Sequence, residues 1–310
     1  MSLFEYITKQ AKSEEHGTGI PSMKAWFKPY AHQKEAIDKL IDNNGKMILA
    51  HQMGTGKTVT SIYGFEKLKH KAKAKKALVV VPSGLRNNFA SNGVAKFTDS
   101  SYQVVASSSE KGKANYARPD KISPDKDYTI MSYAMFRRDP VGYMKKTGAD
   151  TLILDEYHKV RNERSGVFKA AVEARPYAKN FIGLTASLIN NHPSEIASLL
   201  TISEANRGMS PSQFKKAFTQ TIGHTKSFSG KANKVVGLKN PEGFVKTVTP
   251  RVHYVTTEDL KGKTMPTKEV RDVKVPMSKD QYRLYQLALN KLGPMKKYIT
   301  KKDENITVKD

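Results

Sequence analysis

A chain of 310 residues with 38% apolar content is long enough to bury one large α/β core or two modest ones. Its 53 lysines and arginines against 29 acids leave a formal charge of +24, which favours a polyanionic partner, nucleic acid first, with lysine-rich surface decoration as the bland alternative. The absence of cysteine excludes a disulfide framework and a thiolate metal site, and the eight histidines show no HExxH pairing, so a metal held by protein ligands alone is not expected.

The opening stretch, MSLFEYITKQAKSEEHG, alternates acids and bases and has no apolar h-region. No run approaches the roughly 18 apolar residues of a membrane span. The chain therefore reads as soluble and intracellular, in cytoplasm or nucleus, with no membrane partner and with residues 1–25 as an extension. From Trp26 to Leu200, short aliphatic runs alternate with polar segments of helical spacing: KMILA (46–50), ALVVV (77–81), YQVVA (102–106), YTIMS (128–132), TLILD (151–155) and FIGLT (181–185). Near-continuous apolar runs are what strands covered on both faces require. They predict an α/β fold whose mostly parallel sheet carries helices on both faces. The lysine-rich KLKHKAKAKKA (67–77) closes the helix that follows KMILA, where cations suit the helix C-terminal dipole, and reads as a solvated helix end ahead of a nucleic-acid contact. Residues 201–250 are basic, broken by Gly and Pro and without strong strands, and read as a helical appendage with a loop near 226–240. Beyond Pro250, RVHYVT and TKEVRDVKVPM alternate like strands, SKDQYRLYQLALNKL has helical spacing, and the end is too polar to bury much. Residues 251–310 thus read as a return segment and linker.

The chemistry lies at the ends of the aliphatic runs, where open α/β sheets bind ligands. After KMILA comes HQMGTGKTVTS, which opens a helical pattern. In a phosphate cradle, glycines let backbone N–H groups approach the phosphates, a lysine bridges the outer phosphates and a hydroxyl ligates magnesium. Gly54, Gly56, Lys57 and Thr58 supply those parts, with Gln52, Met53 and Thr55 completing the loop. The helix N-terminus adds free donors and its dipole. In TLILDEYH, Asp155 ends a buried strand and is suited to hold Mg2+, and Glu156 beside it is suited to orient an attacking water or take its proton. The reading puts this acid pair on a strand adjacent to that of the glycine loop. Thr185 and Ser187 follow FIGLT, where small hydroxyls would hydrogen-bond the acid pair and report the γ-phosphate. A serine or cysteine hydrolase is disfavoured, since no GxSxG elbow and no cysteine is present.

In their order, these motifs resemble the superfamily 2 helicases and translocases, and most of all the Swi/Snf-related branch. FKPYAHQKEAI is similar to the adenine-reading segment, with Gln33 on the base edge and Tyr30 flanking the base. AHQMGTGKT matches motif I, VVVPSGLRNNF motif Ia, the SY of IMSYAMF a further strand-contacting motif, DEYH the DExH box and LTASLINNHPSEIASLL motif III. Asn190, Asn191 and the following SEIASLL point to the Swi/Snf branch, and KGKTMPTKEVRDVKVPMSKDQYRLY resembles its lead towards a second lobe.

The resemblance implies a RecA-like P-loop NTPase lobe over 26–200, ATP with Mg2+ as cofactors, and movement along double-stranded DNA. It implies catalytic roles for Lys57, Asp155 and Glu156, and coupling through His158, Thr185 and Ser187. It assigns the DNA backbone to Pro82, Ser83, Arg86, Asn87, Ser132 and Tyr133. A second RecA-like lobe, from a missing C-terminal part or another chain, would supply arginines worth about 10³–10⁵ in turnover, so the chain alone should hydrolyse ATP poorly. Three departures stand out: His51 and Gln52 replace an acidic pair, Tyr157 is an unusual third letter of the box, and TAS replaces Gly-Thr-Pro. They suggest a divergent viral or mobile-element member. A strand-separating DNA or RNA helicase, a restriction or recombination motor, and a non-catalytic nucleic-acid-binding module stay open.

Overall fold

The structure is a computed structural model that describes residues 18–106, 115–189, 193–206, 208–227, 230–260 and 275–291. Asn190, Asn191, residues 1–17 of the extension, residues 261–274 of the return segment and everything from 292 onward fall outside them.

All six aliphatic runs become strands of one sheet: β1 (Lys46–His51), β2 (Ala77–Val81), β3 (Tyr102–Val105), β5 (Tyr128–Ser132), β6 (Thr151–Leu154) and β7 (Asn180–Thr185). A two-residue β4 (Tyr116–Ala117) closes one edge, and β10 (Val252–Val255), from the RVHYVT segment, closes the other. The order is β10-β1-β7-β6-β2-β5-β3-β4 and every pairing is parallel. The sheet therefore recruits a strand from beyond residue 250, past the limit that the sequence reading set for the lobe. Lys39 Nζ, donating to Val252 O at 3.0 Å, and Asn43 Nδ2, donating to Pro250 O at 2.7 Å, tie that edge strand to the first helix.

Alternate side chains of each strand feed two separate cores. Ile48, Ala50, Leu78, Val80, Leu152 and Leu154 face one, and Met47, Leu49, Val79, Val81, Ile153 and Leu184 face the other, all of them buried. The second core is roofed by α1 (Ala31–Asp42), α2 (Lys57–His70) and the π-helical stretch Asn88–Val94. The first is roofed by α3 (Tyr133–Phe136), α4 (Pro140–Thr147), α5 (Gly166–Ala174), α6 (Ile196–Ile202), α7 (Pro211–Phe218) and α8 (Pro241–Val248). Helix α2 ends at His70 with Lys67, Lys69 and His70 in its last turn, so the biased lysine run does sit at a helix C-terminus.

The 201–250 region departs from the sequence reading. Residues Thr219–Ser227 (β8) and Gly230–Leu238 (β9) pair as an antiparallel hairpin, where a loop and broken helices were expected. The pairing shifts register at two places, Gln220/Thr221 and Ile222/His224. A ladder interrupted in this way has no clean period-two pattern to betray it in the sequence. After β10 comes the short α9 (Thr257–Leu260), the last described element of the unit that ends at Met265. The second unit, Pro266–Asp310, contributes α10 (Lys279–Lys291), whose first turn is capped reciprocally by Ser278 and Gln281. Among the described residues no helix is long and apolar enough to cross a membrane.

Candidate nucleotide site and nucleic-acid cleft

The glycine loop bridges the end of β1 and the start of α2. Gly54 and Gly56 have φ of 81° and 83°, a left-handed conformation that an L side chain resists. At Gly56 a Cβ would also lie 2.8 Å from Gln33 Nε2, so the glycine lets the loop close against α1. His32 Nε2 sits 3.0 Å from Thr55 O, and because a carbonyl only accepts, that nitrogen carries the hydrogen. Thr55 Oγ1 donates to Gln52 O at 2.8 Å. Lys57 Nζ donates to His51 O at 2.8 Å and to Gln52 O at 3.0 Å, which holds the ammonium inside its own loop. Burial lowers the Lys57 pKa, opposed by the charges of Glu156 and Asp155.

Of the expected base contacts, Tyr30 is half exposed and its ring lies 5.9 Å from that of His32 in a near-parallel stack. Gln33 is buried, and its Oε1 accepts the Tyr30 N–H at 2.9 Å, in a capping box at the start of α1. Met53 is 78% exposed at the rim of the loop. Gln52 directs its side chain away from the loop: Oε1 accepts from Thr257 N at 2.8 Å and Thr257 Oγ1 at 2.9 Å.

The acid pair follows β6. The sequence reading placed it on a strand adjacent to the glycine loop, but β7 lies between β1 and β6. Asp155 is buried, its Oδ1 accepts the Glu156 N–H at 2.9 Å, and burial raises its pKa to about 6, with that bond and Lys57 opposing. Glu156 has φ of 49°, and its Oε2 is 3.2 Å from His158 Nδ1. A buried carboxylate and a hydroxyl at a helix start are oxygen donors of the kind Mg2+ takes, so Asp155 and Thr58 fit that ion. Tyr157 is wholly buried and donates its hydroxyl to Leu199 O at 2.6 Å, which makes the unusual third letter of the box a core residue.

Thr185 ends β7, between loop and acids, but its hydroxyl does not bond to the acid pair. Thr185 Oγ1 donates to Ser187 O at 2.9 Å and accepts from Ser187 N at 3.2 Å, a turn that satisfies itself. The links between box and turn come from residues that the sequence reading missed. Arg161 Nη2 donates to Ser187 O at 2.9 Å and its Nε lies 3.5 Å from Glu195 Oε2.

Beside this site the loops after β2, β5 and β6 enclose a cleft of ≈ 420 Å³. Pro82, Ser83, Ser132 and Tyr133 all border it, together with Arg137 and Lys159, two exposed cations absent from the sequence reading. Other expected contacts are turned inward. Arg86 is buried and donates to Ser83 O at 3.1 Å and Val105 O at 2.8 Å, and Tyr133 donates its hydroxyl to Asp155 O at 2.6 Å. Ser132 Oγ caps α3 by accepting the Met135 N–H at 3.2 Å, whereas Ser83 and Asn87 are exposed. Of the six expected contacts, Arg86 and Tyr133 thus have their polar groups engaged by carbonyls of this chain, and of these two Tyr133 lines the cleft.

Comparison with known proteins finds the SNF2-related domain matched over residues 32–308. The chain belongs to the SNF2-related family. This SNF2-related chain is 27% identical over 274 residues to an Acanthamoeba polyphaga mimivirus protein provisionally named an ATP-dependent RNA helicase, covering 84% of this chain and 46% of that protein. It is 26% identical over 210 residues to the uncharacterized ATP-dependent helicase YqhH of Bacillus subtilis, covering 67% of this chain and 35% of the relative. The chain therefore spans less than half the length of these relatives. Its fold matches the Sulfolobus solfataricus SWI2/SNF2 ATPase core, solved in complex with dsDNA, with a TM-score of 0.58, 22% identity, 86% of this chain and 52% of that one covered.

Proposed function

We propose that this chain is the ATP-binding lobe of an ATP-dependent double-stranded DNA translocase. The observation that carries the reading is one line of chemistry along the carboxyl ends of neighbouring strands. Lys57 and Thr58 follow β1, Thr185 ends β7, and Asp155 and Glu156 follow β6, with a cation-bordered cleft one strand further on. Lys57 neutralises and orients the outer phosphates, Thr58 and Asp155 hold the magnesium that screens them, and Glu156 aligns the water. Arg137, Lys159, Ser83 and Asn87 grip the phosphate backbone, which positions a strand without reading its sequence. The S. solfataricus core, whose structure contains dsDNA, supports duplex DNA as the track. A second RecA-like lobe completes the site with arginines, and the chain alone turns over slowly.

In a form of the protein that carries a second lobe, Glu156→Gln is expected to bind ATP as the unaltered protein does and to lose turnover by about 10² or more. Lys57→Ala is expected to weaken ATP binding itself. Unchanged steady-state hydrolysis in Glu156→Gln removes that acid from its role. The mimivirus relative's name favours RNA as the rival track. Strand-displacement and triplex-displacement assays on DNA and RNA duplexes separate the two readings.

A further inference from the structure

The two letters in which the glycine loop departs from its family, His51 and Gln52, fasten it to the return strand. His51 is fully buried, and its Nε2 lies 2.8 Å from His253 Nδ1 on β10. Gln52 N donates to Val255 O at 2.9 Å, and Gln52 Oε1 accepts from both Thr257 N and Thr257 Oγ1 at the start of α9. The carbonyls of these same two residues hold Lys57 Nζ. His51 C=O and Gln52 N–H belong to one planar peptide unit, so they cannot rotate independently. One end of that unit faces the phosphate-binding lysine and the other faces β10.

We infer that His51 and Gln52 are positioning residues that carry the state of Lys57 to β10 and α9. While Lys57 rests on the two carbonyls, the peptide plane keeps its N–H on Val255 O and the Gln52 side chain stays on Thr257. When Lys57 moves onto phosphate oxygens, the carbonyls lose their donor, the plane turns, and the bonds to Val255 and Thr257 loosen. Nucleotide occupancy is thereby felt at α9, the last described element before the chain leaves its first unit. The functional meaning rests on the proposed ATP site, but the mechanical link does not.

Hydrogen exchange of the full chain, followed on peptides containing the Gln52 and Thr257 amides, tests it. Loss of about one hydrogen bond's worth of protection corresponds to roughly fivefold faster exchange. Magnesium ATP is expected to produce that change, and Lys57→Met is expected to produce it with no nucleotide added and to show no further response to ATP. His253→Phe is expected to raise exchange at the same amides and halve the ATP response, and His253→Asn, which keeps a hydrogen-bonding group near the Nδ1 position, to restore both. Slow exchange in Lys57→Met overturns the link whether or not ATP binds. Failure of fluorescent ATP to bind the unaltered chain, with fast exchange in Lys57→Met, leaves the link standing and overturns the ATP-site reading instead.

Discussion

Gly183 is expected to resist even one added methyl group. It lies inside β7, paired with Ile48 of β1 and Leu154 of β6, so its backbone cannot retreat without disturbing two ladders. A Cβ there would sit 2.7 Å from Tyr157 Cδ1 and 3.0 Å from Cγ and Cε1. Carbon atoms pack at about 3.5–4.0 Å, so the overlap approaches 1 Å. The ring has little freedom to yield, because its hydroxyl is fixed on Leu199 O and its centroid lies 5.3 Å from that of the Phe181 ring, tilted by 58°. Overpacking of this kind costs about 1–3 kcal/mol. Tyr157→Ala removes a buried aromatic and is expected to cost about 3–5 kcal/mol. In the double variant the new methyl group meets a void rather than a ring, so the penalties fall short of their sum by about 1 kcal/mol or more. Urea unfolding of the four proteins, with unchanged m-values, measures this cycle. A Gly183→Ala protein within about 0.5 kcal/mol of the parent, additive with Tyr157→Ala, refutes the packing argument. A parallel effect is expected on chemistry, since a displaced Tyr157 drags the left-handed Glu156 with it; in a two-lobed form, turnover should fall more than ATP affinity.

Duplex DNA affinity is expected to fall linearly with salt on logarithmic axes, and Arg137→Ala or Lys159→Ala should each flatten the slope by about 1; unchanged slopes remove these cations from the phosphate contact. His51 titrates near 3 when folded, because burial and then His253, His32 and Lys57 disfavour its charged form, against 6.5 for an unperturbed imidazole. The unfolded chain therefore takes up the proton first. This contribution is intact above about pH 6.5 and lost as pH falls towards about 3, at up to about 1.4 kcal/mol per unit, and His51→Leu should flatten that decline in urea midpoints. Glu66 is buried and accepts from Ser22 Oγ at 2.5 Å, Ser100 Oγ at 2.7 Å and Tyr128 OH at 2.8 Å. Glu66→Ala leaves those donors without their acceptor and is expected to cost about 1–3 kcal/mol or more in the same assay, a neutral result being incompatible with the network.

What was legible in the sequence followed from local physics. ALVVV and YTIMS become strands at the expected residues because an apolar run of that length, flanked by turn residues, can satisfy itself only as a strand buried on both faces. The loop, the acid pair and the hydroxyls could be found because each stands within a few residues of such a run. Strand order was not legible: nothing local to TLILD or FIGLT says that the later strand inserts between the loop and the acids. Side-chain direction was equally hidden. Arg86 reads as a phosphate contact from its neighbours, yet its carbonyl partner on Val105 comes from a different strand. His51 looked like a mere substitution because its partner, His253, is 202 residues away.

The insertion of β7 also brings the two motifs after β6 and β7 into contact through packing. Gly183 of β7 lies under Tyr157, so a large aromatic in the box requires a strand residue with no side chain at that point. The aromatic in turn reaches Leu199, in the helix that follows the TAS turn. The turn satisfies its own hydroxyl, and Arg161 supplies the direct link from the box to Ser187. Box and turn are thus joined by packing and by backbone carbonyls rather than by the hydroxyl-to-carboxylate bond expected from the sequence. A bond between small polar side chains can be broken by one water. A ring wedged between a strand and a helix is held by both, so Tyr157 fixes the residue next to Glu156 against β7 and α6.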